Sequence, residues 1–305
     1  MGPPLVALSI DLDALDLYCG IYGLPDTLSE RARDVVPALA TERFGDLCAS
    51  LGLAGTLFVV GRDVAGGRGH AQLKAAAAAG HELASHSFSH DYALSRRTAA
   101  EIDLDLDTAD HALAGLTGAR PVGFRAPGYT LSPVLSERLA ARGYRYDSSL
   151  LASPPYYAAK AAVMGALKLL GRESRSILGP VDQLFRPRLP HRDRAGLLEL
   201  PIAVLPGIRL PYYGAPLVLL PEAAAGLLGR ALALDPLVVI ELHGVDLCDE
   251  SDGIPAELVT RQRDLRVSAM VKRRRIESAM RHLLQGRGGV TLAEAARLMS
   301  EQACT

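Results

Sequence analysis

Short apolar runs that end in polar residues recur along the whole chain, and each is followed by a longer segment of helical period. No other feature constrains the fold as much, because strands separated by helices pair in parallel and bury both faces of their sheet. The strand runs are Leu5 to Ile10, Gly55 to Val60, His81 to Ser85, Pro121 to Phe124, Tyr144 to Ser148, Leu197 to Val204, Leu237 to Leu242 and a short Gly289 to Leu292. Helices are expected at about residues 29–51, 70–79, 95–117, 132–142, 156–170, 221–234, 256–286 and 292–302, with Gly80, Gly118, Gly143 and Gly171 at stops. Seven or eight such alternations predict a single-domain α/β fold over residues 1–305, a distorted (β/α) barrel of about seven strands. The C-terminal strand ends of such barrels hold the active site. Residues 171–195 are irregular, and with the helix before them they read as an insertion at about 152–195.

Apolar residues make up 49% of the chain, enough for a large core and too many for a disordered state. Lys plus Arg count 33 against 34 Asp plus Glu, so no long-range field draws the chain to nucleic acid. Cys19, Cys48, Cys248 and Cys304 lack paired short spacing, which argues against a zinc-thiolate site or a disulfide framework. The N-terminus shows no basic and apolar signal segment, and no apolar run reaches the roughly 18 residues of a membrane span. These features predict a cytoplasmic location, either free or at the inner face of the membrane.

The strand ends carry the chemistry. Asp11 and Asp13 follow the first strand and point the same way by alternation. They are either turn acids capping the next helix or a crowded pair that needs a metal, an Arg or both beside it. His86 and His90 in His86-Ser-Phe-Ser-His90 fall on one face if the segment turns helically, a spacing that suits a divalent transition metal. Two histidines and one aspartate leave a coordination position open for water, whose pKa a bound cation lowers to about 7. The second aspartate is then free to act as general base. His243 ends the very apolar strand Val239-Ile-Glu-Leu-His243 and is the candidate general acid. Arg125 and Asp147 also stand at strand ends, whereas His70, His81, His111, His191 and His282 lack such company.

In this order the pieces resemble the five motifs of the polysaccharide deacetylase family, the NodB-like carbohydrate esterases. Ser9-Ile-Asp11-Leu-Asp13, His86-Ser-Phe-Ser-His90, Arg125-Ala-Pro127, Asp147-Ser-Ser149 and Leu242-His243 carry the resemblance over about residues 5–300, and Glu199-Leu-Pro201 resembles a further strand of the family. The resemblance implies Asp13, His86 and His90 as metal ligands, with zinc first and cobalt, manganese or nickel as alternatives. It implies Asp11 as base held by Arg125, and His243 as acid oriented by Asp147. Where many members carry an aromatic residue after Arg-x-Pro, this chain has Gly128 and then Tyr129, either of which can supply the oxyanion N–H. The implied activity is metal-dependent removal of an acetyl or formyl group from a sugar nitrogen, the sugar being free or part of a lipid-linked glycan. Hydrolysis of a non-sugar amide and an inactive barrel that binds glycan or lipid are the competing readings.

At 100° per residue, Lys160, Lys168 and Arg172 share one third of the helix that spans residues 155–172, beside a wide apolar face. That pattern fits a helix in a membrane interface, and equally an outer barrel helix with snorkelling lysines. The run Lys272-Arg-Arg-Arg275 reads as a solvated face.

Overall fold

The computed structural model describes residues 3–302. Its strands are β1 (Leu5–Asp11), β2 (Thr56–Val59), β3 (Glu82–Ser85), β4 (Gly123–Phe124), β5 (Tyr146–Asp147), β6 (His191–Arg192), β7 (Leu198–Glu199), β8 (Leu237–His243) and β9 (Gly288–Val290). They form one curled sheet in the order β6-β7-β5-β4-β3-β2-β1-β8, with β9 beside the lower half of β1. Every pairing is parallel except β6 with β7. A parallel bridge from Ile202, just beyond β7, to Val239 of β8 brings the two sides together. β1 to β5, β7 and β8 thus make the seven-stranded, distorted barrel-like sheet, and β6 and β9 flank it.

Helices α1 (Leu15–Ile21), α2 (Glu30–Arg33), α3 (Thr41–Leu51), α4 (Gly61–Ala65), α5 (His70–Ala78), α6 (Ala99–Thr117) and α7 (Pro133–Ala141) accompany the first five strands. α8 (Pro154–Leu169), α9 (Gly214–Leu219), α10 (Glu222–Gly229), α11 (Ala256–Arg261), α12 (Ala269–Leu284) and α13 (Leu292–Gln302) follow. Their ends obey local chemistry. Thr98 and Glu101 form a reciprocal capping box at α6, and Ser132 and Ser153 accept the first free N–H groups of α7 and α8 ahead of a proline. Gly118 ends α6 in the left-handed conformation that suits a residue without Cβ.

The helix expected over 29–51 is split into α2, a π-helical turn at Val35–Ala40 and α3, because Pro37 cannot donate an intrahelical hydrogen bond. The one expected over 256–286 divides into α11, a 3₁₀ turn and α12, which restarts where Ser268 caps it. α1, α4, α9 and β6 had no expected counterpart. Lys272 does not lie on a solvated face. It is fully buried, with Nζ donating to the carbonyls of Val245 at 2.8 Å and Cys248 at 2.7 Å. Cys19, Cys48 and Cys248 are buried free thiols, and Cys304 lies outside the described residues.

Alternation along the strands builds two cores. Val6, Leu8 and Ile10 of β1 and Val238, Ile240 and Leu242 of β8 face the helices, while Leu5, Ala7, Leu237 and Val239 face the barrel interior. α13 closes the lower end by burying Leu292, Ala295 and Ala296 against those inward residues. Its first free N–H groups, on Leu292 and Ala293, donate to Thr56 Oγ1 at 2.9 Å and Glu82 Oε2 at 2.8 Å inside the barrel. Leu292→Ala should therefore cost about 2–5 kcal/mol of unfolding free energy in a denaturant titration.

Candidate active site

β1 and β8 run in register, so that Ser9 pairs with Glu241 and Asp11 with His243. Residues two apart share a face, and the inward face of these strands turns from apolar at the bottom to polar at the top. His86 and Arg125 directly follow β3 and β4, and Asp147 ends β5.

Asp13 meets both predicted histidines there. Its Oδ1 is 3.2 Å from His86 Nε2 and 3.1 Å from His90 Nε2, and all three side chains are buried. The His86–His90 segment is a bent loop, not a helical turn, with Ser87 and His90 at positive φ. Asp105 of α6 holds the bend by accepting from the N–H groups of Phe88 at 2.8 Å and Ser89 at 3.0 Å. His86 Nδ1 faces the Arg125 carbonyl at 2.7 Å, an acceptor only, so Nδ1 carries the proton and Nε2 keeps its lone pair. Asp13 Oδ1 and His90 Nε2 are buried without a hydrogen-bond partner. Two imidazole nitrogens and one carboxylate oxygen within 4.8 Å of one another fit a divalent transition metal. Burial works against the Asp13 carboxylate, yet the two histidines outweigh it and hold its pKa well below the usual range. Burial also opposes the His86 imidazolium, but Asp11 and Asp13 raise its pKa.

Asp11 stands beside this triad, with Oδ2 3.7 Å from His86 Nε2. Its other oxygen accepts from Arg125 Nη1 at 2.6 Å, as expected of an arginine that holds it. Arg125 also donates to Ser9 Oγ, to the Ser148 carbonyl and to Ser148 Oγ, and lies 4.0 Å over the Phe58 ring.

The partner of His243 differs from the expected one. Asp147 is turned away into the wall, where it accepts from Ser149 Oγ at 2.6 Å and shares its surroundings with Glu199. Burial raises both acids, and Glu199 the more because Asp147 lies beside it. The carboxylate against His243 is Glu241, with Oε1 3.5 Å from Nδ1, and it also accepts from Tyr129 Oη at 2.6 Å. The period-2 rule carries the missed signal, since Glu241 precedes His243 by two residues on an inward strand face. Burial disfavours the charged ring of His243, but Glu241, Asp13 and Asp11 more than offset it and raise its pKa to about 9. Burial lifts Glu241 to about 7. Asp246 accepts from the His243 N–H at 2.8 Å and fixes the backbone there.

Asp11, Asp13, His86, Tyr129, His243 and Asp246 line one cavity of about 150 Å³. Gly128, at φ 64°, forms part of its wall, and a Cβ there would lie 2.8 Å from the Tyr92 ring. The N–H of Tyr129 already donates to Ala126. α8 covers one side. Lys160 turns inward to the cavity and Arg172 is half-buried, so the cations of this segment do not form one outward strip, although Leu169 and Leu170 are exposed. Among the described residues no helix is long and apolar enough to cross a membrane.

The family model for polysaccharide deacetylase matches residues 34–146. A peptidoglycan deacetylase of Helicobacter pylori is 30% identical over 156 residues, which are 50% of this chain and 52% of that protein, so the match spans about half of the curated relative. A Mycobacterium smegmatis structure assigned as a polysaccharide deacetylase superimposes with a TM-score of 0.63 at 20% identity, covering 99% of this chain and 92% of that one. At that identity the likeness shows the fold. A family 4 acetyl xylan esterase of Clostridium thermocellum, solved with cobalt, aligns more loosely, with a TM-score of 0.48 at 17% identity over 96% of this chain and 91% of that one.

Two outcomes are expected. The purified protein should bind one divalent metal, and His86→Ala with His90→Ala should lose it, as read by elemental analysis after desalting. Glu241→Gln removes the charge that favours the His243 imidazolium, so in any pH–rate profile limited by that ring the alkaline limb should move to lower pH.

Proposed function

We propose that this chain, whose residues 34–146 match the polysaccharide deacetylase model, is a member of that family of NodB-like carbohydrate esterases, and that it hydrolyses the N-acyl bond of an acylated amino sugar with a divalent metal held by Asp13, His86 and His90. The observation that carries the reading is the buried Asp13–His86–His90 triad beside the Arg125-bound Asp11 and His243, with Asp11, Asp13, His86 and His243 lining one small cavity. What the metal supplies when bound is Lewis-acid polarisation and a water acidified toward neutral pH. Zinc is the first choice, with cobalt, manganese or nickel as alternatives.

The protein's own groups then divide the work. Asp11, kept in place by Arg125, takes the proton of the attacking water. The N–H of Gly128 donates to the developing oxyanion, since that of Tyr129 is already engaged. His243, protonated at neutral pH, gives its proton to the leaving nitrogen. The acyl carbon gains the hydroxyl and loses nitrogen, which leaves as the amine. Glu241 and Tyr129 orient the His243 ring, and the Asp147–Glu199 pair supports the wall behind Arg125.

The acyl group is acetyl or formyl. A lipid-linked glycan rests on the outward Leu169 and Leu170 alone, and co-sedimentation of the protein with anionic vesicles tests it. A second reading, hydrolysis of a small non-sugar amide, draws on the confined cavity. The metal-loaded protein should release acetate or formate from a panel of N-acylated sugars, and Asp11→Asn should lower kcat by about 10²–10⁴-fold while retaining metal. Release from small non-sugar amides alone would move the assignment to the second reading, and undiminished turnover by Asp11→Asn would remove Asp11 from the chemistry.

A further inference from the structure

Lys160 belongs to α8, the helix that covers one side of the cavity. Its Nζ is 3.4 Å from the Gly128 carbonyl and 5.9 Å from the centre of the Tyr156 ring. Lys160 is half-buried, and the fully buried cations nearby are satisfied: Arg125 has Asp11 and two serines, and Lys272 has two carbonyls with Asp264 at 3.6 Å. Lys160 has one long contact to a neutral carbonyl, and burial depresses its pKa to about 8 with no acid offsetting it.

A cation withdrawn from water without a counter-charge is unfavourable, and an anion entering the same pocket relieves that cost through a charge-assisted hydrogen bond. The position of Lys160 limits where such an anion can be. It reaches the Gly128 carbonyl, on the loop whose N–H is assigned to the acyl oxygen, and both line a cavity of about 150 Å³. The anion must therefore sit on the same small unit as the scissile amide, not on a distant part of a polymer.

We infer that Lys160 forms an anion subsite, so that the pocket takes an N-acylated substrate with a carboxylate or phosphate on the acylated unit. The inference rests on the proposed deacylation for the place of the amide, while the subsite itself is read by binding.

The test uses the metal-loaded protein and three probes: N-acetylglucosamine, which is neutral, N-acetylmuramic acid, which carries a carboxylate, and N-acetylglucosamine 6-phosphate. Titration calorimetry gives a ratio of Kd values, and kcat/KM ratios replace them for a sugar that turns over. At least one acidic sugar should bind about tenfold or more tighter than the neutral one, and the two acidic probes tell carboxylate from phosphate. Lys160→Met, which retains an unbranched apolar stem, should bring the ratio close to one, and Lys160→Arg, which retains the charge, should preserve most of it. Equal affinities in the wild type, or a preference that survives in Lys160→Met, overturns the subsite. The same holds if free acetate and inorganic phosphate bind through Lys160 while neither acidic sugar is preferred. A Lys160-dependent preference without release of acetate upholds the subsite and counts against deacylation of these sugars.

Discussion

A fully buried guanidinium organises the mouth of this barrel. Arg125 is 0% exposed, and stripping a charge of its water costs several kcal/mol unless its partners restore the lost interactions. The surrounding strands do so. Asp11 and Ser9 come from β1, the Phe58 ring from β2 and the two Ser148 acceptors from the chain after β5. The Arg125 backbone joins in, since its N–H donates to Ser85 and its carbonyl faces His86 Nδ1. One residue thereby fixes the candidate base and the tautomer of a candidate metal ligand. Replacing it by a neutral side chain would leave Asp11 as a buried charge without its hydrogen-bonded counter-charge.

Around this pair the environments of the acids diverge. Two imidazoles pull Asp13 down, although burial alone would raise it, whereas Glu241 and Glu199 are carried upward by burial and by neighbouring acids. Such separation lets carboxylates a few ångströms apart take different roles at one pH. The raised pKa of His243 follows from the same crowding, because Glu241, Asp13, Asp11 and Asp246 all act on that ring. The roof adds a second imbalance, an unpaired ammonium beside the Gly128 loop.

Much of this was legible in the sequence because strands project alternate residues and barrels expose their strand ends. Asp11, Asp13, His86, Arg125 and His243 could each be read as the last polar group of an apolar run, and the structure brings them to one mouth. What escaped was set by contacts between distant segments. Asp105 steadies the histidine loop from the middle of α6, where an acid carries no signal of its own. Asp147 was expected at His243, but its strand turns it toward Ser149 and Glu199, while Glu241 occupies that place from within β8. The basic strip on α8 failed because angular position on a helix does not say which side the rest of the chain covers. Lys272 failed as a surface residue for a related reason, its ammonium being drawn in by the Val245 and Cys248 carbonyls of the turn after β8.

Among the described residues two clusters could attract a metal: Asp13 with His86 and His90, and Asp11 with Glu241 and His243. We place the ion in the first and proton transfer on Asp11 and His243 of the second. Anomalous diffraction from a cobalt-loaded crystal separates them directly. A single peak bounded by Asp13, His86 and His90, with Asp11 still paired to Arg125, is the predicted result. A peak held by Asp11, Glu241 and His243 would contradict it, because those groups could then serve neither as base nor as acid.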